Sequence, residues 1–242
     1  YDFKLQENKH RFTIVGGQEM TNSEQNDMLL ESKFYPKDFS TDDVLAMWNY
    51  GTPSPTYTTI REPSRTTSFF SRINYTFSDR YILTLTGRAD GKNVFAPGNQ
   101  WGFFPGAAFA WRFSDESFMS GTKAWLSDAK LRLSHGSVGN ARVGSYWRQD
   151  YDFINAANQL YYIGETPQSA LRTKTTLKNE NLTWESTVSS NIGLDVSLFK
   201  SRLNLTVDAY NNITNDLILQ VPLPSSSGYA NQYQNVGSTS NR

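Results

Sequence analysis

Apolar and polar residues alternate with a period of two along most of the chain, over segments longer than the roughly five or six residues usual for a soluble strand. Residues 183–199 show this best. Trp184, Val188, Ile192, Leu194, Val196 and Leu198 share one parity, and Glu185, Thr187, Ser189, Asn191, Asp195 and Ser197 share the other. After the polar connection Lys200-Ser201-Arg202, Leu203, Leu205, Val207 and Ala209 are set against Asn204, Thr206, Asp208 and Tyr210. Earlier in the chain, Phe69, Ile73, Tyr75 and Phe77 oppose Ser68, Arg72, Asn74 and Thr76. A turn at Ser78-Asp79-Arg80 follows, and then Tyr81, Leu83, Leu85 and Ala89 oppose Thr84, Thr86, Arg88 and Asp90. Trp101, Phe103, Ala107, Phe109, Trp111 and Phe113 oppose Gly102, Gly106, Ala108, Arg112 and Ser114, while Leu131 and Leu133 oppose Lys130, Arg132 and Ser134. With a weaker strand over residues 12–16, the pattern predicts about nine strands, the first and last cut short, each oily on one face and wet on the other.

The predicted connections alternate in length. Short turns follow residues 6, 77 and 199, a medium connection covers 115–128, and long ones fall at 21–65, 90–100, 140–182 and 220–234. Short turns at one end and long loops at the other are what antiparallel transmembrane β-barrels show, with the long loops extracellular. In the first long connection Ser40 or Thr41 can cap a short helix over residues 42–48, with Asp42 and Asp43 in its first turn. Pro53 and Pro55 then deny that connection further regular structure.

Composition narrows the picture. Only 38% of the 242 residues are hydrophobic, yet 14% are aromatic. A soluble sandwich hides its rings, whereas a barrel sets Phe, Tyr and Trp in girdles at the two interfaces and fills its lumen with polar residues. The 23 Lys and Arg balance 23 Asp and Glu, so the basic footprint of a nucleic-acid binder is missing. The chain has no cysteine, which excludes disulfides, thiolate metal sites and Cys nucleophiles. The longest nearly apolar run, residues 102–111, is far shorter than the roughly 18 to 20 residues of a spanning helix. Residues 1–6 lack the pattern of a signal peptide, and the chain is expected to begin within a strand.

Ordered motifs carry a resemblance. They include Ser68-Phe69-Phe70-Ser71-Arg72-Ile73-Asn74-Tyr75, Arg88-Ala89-Asp90-Gly91-Lys92, Trp101-Gly102-Phe103-Phe104-Pro105, and Ala110-Trp111-Arg112-Phe113-Ser114 with Phe118-Met119. Trp125-Leu126-Ser127-Asp128-Ala129-Lys130-Leu131-Arg132, Gly136-Ser137-Val138-Gly139-Asn140 and Asn181-Leu182-Thr183-Trp184-Glu185 follow. Asn191-Ile192-Gly193-Leu194-Asp195, Tyr210-Asn211-Asn212-Ile213-Thr214-Asn215-Asp216-Leu217 and Val221-Pro222-Leu223-Pro224 complete the series. In spacing and order over residues 66–237 this resembles the SusC family of TonB-dependent outer-membrane transporters, found mainly in Bacteroidetes. The chain departs from the family at Gly106, where Ser is usual, at Ala89, and at Lys92-Asn93, where Ser-Ser is common.

The resemblance implies an all-β fold, an antiparallel transmembrane β-barrel of roughly 22 strands with a plugged lumen. Residues 1–242 would be one segment of that barrel, with the plug domain and the barrel closure outside this chain. It further implies active import across the outer membrane of a Gram-negative bacterium. The expected partners are a SusD-like surface lipoprotein, TonB acting through the plug, membrane lipid, and a cargo of oligosaccharide or peptide. No cofactor and no catalytic residue is called for. Two other readings fit the composition: a soluble aromatic-rich β-sandwich that binds glycans, and a passive porin.

Residue by residue, the chemistry is sparse. Gly136-Ser137-Val138-Gly139-Asn140 lacks the spacing and the ending of a phosphate loop, and Asn140 is expected to help turn a strand into its loop. His10 and His135 have no second ligand at metal spacing and are expected in a solvated or rim role. Asp42-Asp43 and Asp115-Glu116 read as helix capping and turn solvation rather than paired catalytic acids. Asp90-Gly91-Lys92 reads as a loop turn. Tyr146, Trp147 and Tyr151, in a loop that also holds Phe153, Tyr161 and Tyr162, could stack on cargo or could form the small core a long loop needs. Arg72, Arg88, Arg112 and Arg132 lie on the polar parity of four consecutive strands, which directs them to the lumen. There they could hold acidic or carbonyl groups of the plug, or pair with barrel acids such as Asp90, Asp195 and Asp208.

Overall fold

Period-two alternation becomes one nine-stranded sheet in the computed structural model, which describes residues 1–5, 9–29, 32–35, 38–47, 50–53, 57–60, 63–148, 151–154, 161–164, 166–168 and 170–242. Its strands are β1 (Asp2–Leu5), β2 (His10–Ser23), β3 (Ser64–Phe77), β4 (Tyr81–Lys92), β5 (Trp101–Arg112), β6 (Leu126–Asn140), β7 (Glu185–Leu198), β8 (Leu203–Asn215) and β9 (Ser238–Asn241). Each is hydrogen-bonded to the next in chain order, and the pairs from β3 to β9 run antiparallel. The result is an up-and-down meander.

The register aligns the alternation of one strand with that of its neighbours. Leu83 stands opposite Phe109, Phe109 opposite Leu133, Leu133 opposite Ile192, and Ile192 opposite Ala209. One residue along, Thr84, Ala108, Ser134, Asn191 and Tyr210 form the corresponding row on the other face. A slip by one residue would move every side chain of a strand to the wrong face, so patterning of this length fixes the pairing. The apolar face is left uncovered: Ile192 is 50% exposed, Leu205 53% and Phe103 68%.

Short three- and four-residue turns join β3 to β4 and β7 to β8. Ser78 and Asp79 in the first, and Phe199, Lys200 and Ser201 in the second, take positive φ. That left-handed backbone matches the twist of the flanking strands. Between β5 and β6 the chain makes two 3-10 turns, Phe113–Asp115 and Ser117–Thr122, so Phe113 and Ser114 leave the sheet earlier than their parity predicted. Asp90-Gly91-Lys92 is a further correction. It is not a turn but the end of β4, and Gly91 is needed there because an added Cβ would lie 2.8 Å from the Trp101 ring. Residues 136–140 likewise lie in β6. The side chain of Asn140, its last residue, accepts from the Arg142 amide at 3.2 Å and turns the chain out of the sheet.

Residues 21–65 form a separate compact unit. Within it Asn26–Leu29 pairs with Tyr57–Ile60 and Ser32–Lys33 with Thr52–Pro53, so regular structure reaches Pro53 against expectation. Proline is tolerated in a strand this short because no long ladder needs its N–H. Helix α1 (Thr41–Ala46) starts at Ser40, whose side chain accepts from the Asp43 amide while the Asp43 side chain accepts from the Ser40 amide. This reciprocal pair satisfies two donors left open at the helix start. The Ser40 hydroxyl, and then its backbone N–H, hold the Asp43 carboxyl below the ordinary aspartate range. Trp48 and Pro55 lie outside the described residues.

Candidate functional site

The four arginines sit on β3, β4, β5 and β6, on the polar face, and the register separates them into two groups. Arg72 stands opposite Thr86 and Arg88 opposite Phe70, which brings these two close together. Arg112 is opposite Lys130 and Arg132 opposite Ala110, nearer the short-turn end.

Arg88 is held by several partners. Its Nε donates to both Asp90 carboxylate oxygens at 2.7 and 3.0 Å, and its Nη2 donates to Ser68 Oγ at 2.9 Å and Glu19 at 3.2 Å. Its guanidinium also lies 5.8 Å from the Phe70 ring centroid. Ser68 and Asp90 are both buried, so their bonds to Arg88 form a sheltered, satisfied network, while the Arg88–Glu19 pair at its edge is open to solvent. Arg132 forms a fork with Asp195, at 2.9 and 3.0 Å, and reaches Asp208 at 3.2 Å, while Lys130 shares Asp195 at 3.1 Å. Arg112 Nε is 3.3 Å from Asp128 but is not aligned for a hydrogen bond. Arg72 is exposed and makes no ion pair among the described residues.

Arg72 and Arg88 help line a cavity of about 750 Å³, together with Phe70, Asp90, Lys92, Phe104 and Trp184. Ala141, Arg142 and Trp184, which also line it, belong to the long connection between β6 and β7. Val94, Phe95, Ala141 and Leu182 form a buried cluster, with Val143, Tyr146, Trp184, Ile218 and Tyr233 packed against it. Lys92 Nζ donates to the Ala141 carbonyl at 2.7 Å, and Trp184 Nε1 to the Gln100 carbonyl at 3.1 Å. The Phe104 ring stands edge-on to Trp184 at 5.6 Å, and glycine at positions 102 and 139 leaves room for it. Phe104 and Trp184 were not singled out as site residues from the sequence. For Phe104 the usable signal was a large ring on the otherwise polar parity of β5, between Gly102 and Gly106; Trp184, whose parity placed it with the apolar face of residues 183–199, instead precedes β7 and packs against Phe95 and Phe104.

Of the proposed cargo residues, Tyr146 packs against that loop core. Tyr146 stacks on Tyr233 with ring centroids 3.9 Å apart, and Trp147 Nε1 donates to the Asn93 carbonyl at 3.3 Å with Arg148 over its ring at 4.2 Å. Tyr151 begins a strand, Tyr151–Ile154, paired with Ala170–Thr173, and its side chain lies outside the described residues, as do those of Phe153, Tyr161 and Tyr162. His135 falls on the apolar parity, with Nδ1 2.9 Å from Ser190 Oγ, and His10 lies 2.8 Å from the Tyr75 hydroxyl. Glu116 corrects the reading of Asp115-Glu116 as a solvated turn. It accepts from Tyr81 Oη at 2.6 Å, Trp111 Nε1 at 3.2 Å and Arg80 Nη1 at 2.9 Å. The Tyr81 hydroxyl, and then the Trp111 N–H, hold its carboxyl below the ordinary glutamate range. Among the described residues no three His, Asp or Glu side chains converge as a metal set.

A long antiparallel meander with one uncovered apolar face and one face of paired charges defines the wall of a transmembrane β-barrel. The comparisons with known proteins specify which. The family profile described as "TonB dependent receptor-like, beta-barrel" matches residues 2–242, and the chain belongs to that family. It is a family of receptors and transporters, not of enzymes. TonB-dependent receptor P26 of Formosa agariphila is 35% identical over the whole chain, and TonB-dependent receptor SusC of Bacteroides thetaiotaomicron is 36% identical over 72% of it. The structure of the RagAB peptide importer in its "closed-closed" state superposes on 99% of the chain with a TM-score of 0.82 and 28% identity. The chain spans 24% of the length of P26, 17% of SusC and 25% of the RagAB chain.

Proposed function

We propose that residues 1–242 form part of the barrel wall of an active importer in the outer membrane of a Gram-negative bacterium. The observation that carries this is the division of one sheet into an uncovered apolar face, which meets lipid, and a charged face, which lines the lumen. The likeness to a SusC and to a peptide importer supports a TonB-driven cycle, with a plug outside this chain, a SusD-like lipoprotein at the surface, and a cargo of peptide or oligosaccharide. A soluble glycan-binding sandwich would bury residues such as Ile192 and Leu205, so their exposure speaks against it.

Within the lumen the arginines divide their work. Arg88 and Arg132 are paired with acids of the wall, which supports a structural ladder at those positions. Arg72, beside the cavity and without an ion pair among the described residues, is the arginine best placed to meet an acidic or carbonyl group of the plug or cargo. Tyr146 and Trp147 would shape the cargo entrance chiefly by holding the loop core, and Tyr151 remains a contact residue in this proposal. The test is uptake by cells carrying the full-length protein, with and without TonB, for the wild type and for Arg72→Gln. The proposal expects TonB-dependent uptake of labelled oligopeptides or oligosaccharides that falls in the variant while surface assembly is unchanged. TonB-independent diffusion would make the protein a passive porin, and full uptake by Arg72→Gln would remove that residue from the route.

A further inference from the structure

We infer that the connection between β5 and β6 is a membrane foot: it folds back over the apolar face at the short-turn end and seats Phe118 among lipids of the periplasmic leaflet. Tyr81 and Trp111 stand opposite each other on the apolar parity, at the ends of β4 and β5. The Glu116 carboxylate joins their two polar atoms, and Arg80 closes the ring of donors. Because Glu116 can reach both only from their own side of the sheet, the connection lies against the apolar face rather than beneath the lumen. Its rings follow: Phe113 lies 5.8 Å and Phe118 6.4 Å from Trp111.

The Glu116 side chain is 12% exposed, whereas Phe118 is 67% exposed. An acid is therefore sheltered under a segment that displays a phenyl ring, the reverse of what water alone would select. The neighbouring turn at Ser78-Asp79-Arg80 is polar throughout. Phe118 is continuous through Trp111 with Phe109 and Leu83, the next residues on the same face. Tyr and Trp with their polar ends satisfied and their rings in oil mark the level of a membrane interface. The occupant is lipid because the face Phe118 extends is the lipid face, and the inference rests on that assignment.

The experiment uses the full-length protein on a cysteine-free background in phospholipid vesicles. Nitroxide labels are placed at Phe118→Cys, Asp79→Cys and Ile192→Cys, and collisions with oxygen and with a water-soluble nickel chelate are compared. The expected result is that the Phe118 site favours oxygen, as Ile192 does, while the Asp79 site favours nickel. Adding Glu116→Gln should shift the Phe118 site toward nickel. Gly121→Cys, in the same 3-10 turn with open space about its Cα, supplies a second probe should Phe118→Cys fail to assemble. Nickel access at both foot positions with oxygen at Ile192 overturns the foot alone. Nickel access at Ile192 as well overturns the lipid face on which it depends.

Discussion

At the long-loop end Phe95 and Leu182 are fully buried, while on the apolar face of the sheet Ile192 and Leu205 remain half exposed. Among the described residues most of the buried apolar side chains, Val94, Phe95, Ala96, Ala141 and Leu182, belong to connections rather than strands. The loop end thus carries a conventional core, stabilised by removing apolar surface from water at roughly 25 cal/mol per Å². The wall has no such core of its own. Its backbone groups are satisfied between strands, as a bilayer requires, and its apolar side chains are matched to hydrocarbon. One chain therefore uses two solvents, and mutations at the two regions should report different physics.

The largest effect is expected in the loop core. Phe95→Ala removes a ring packed 5.4 Å from Trp184 and should cost about 3–5 kcal/mol of local stability. Proteolysis of intact cells should then increase in residues 93–100 and 141–184 while the barrel still assembles. Loss of the barrel itself would show that the two regions are not energetically separate.

Next comes the wall. Ile192→Arg should cost roughly 2–4 kcal/mol if it faces hydrocarbon near mid-membrane, whereas Ser189→Arg on the opposite parity should be tolerated. Assembly in lipid vesicles, followed by resistance to denaturant, checks this. Equal tolerance at both positions would erase the distinction between the two faces.

The smallest effect is expected at the short-turn end, where Arg11 pairs with Asp79 and both side chains are largely exposed, at 44% and 61%. A double-mutant cycle with Arg11→Met and Asp79→Asn should return about 0.2–1 kcal/mol, falling with added salt. A larger, salt-insensitive coupling would mean that this turn is shielded from water.

The sequence by itself determined the strands and their faces. The alternation around Leu194 and Asp195, or Arg72 and Ile73, is a local property, and period-two geometry converts it directly into two faces. The helix start at Ser40 and the tight turns at Ser78 and Lys200 were legible for the same reason, since their partners lie within a few residues. Parity also put Asp90, Asp195 and Asp208 on the face of the arginines, but which arginine meets which acid was decided by tertiary structure wherever the partners are far apart in the chain. Arg88 meets Glu19 across 69 residues, Arg132 meets Asp195 across 63, and Glu116 reaches back 35 residues to Tyr81. Gly91 read as a turn residue because its reason for being glycine, the Trp101 ring on the next strand, appears only once β4 and β5 are paired. The loop core was hidden likewise: Tyr146 and Tyr233 stack across the sequence, and no local periodicity encodes a contact between two irregular segments.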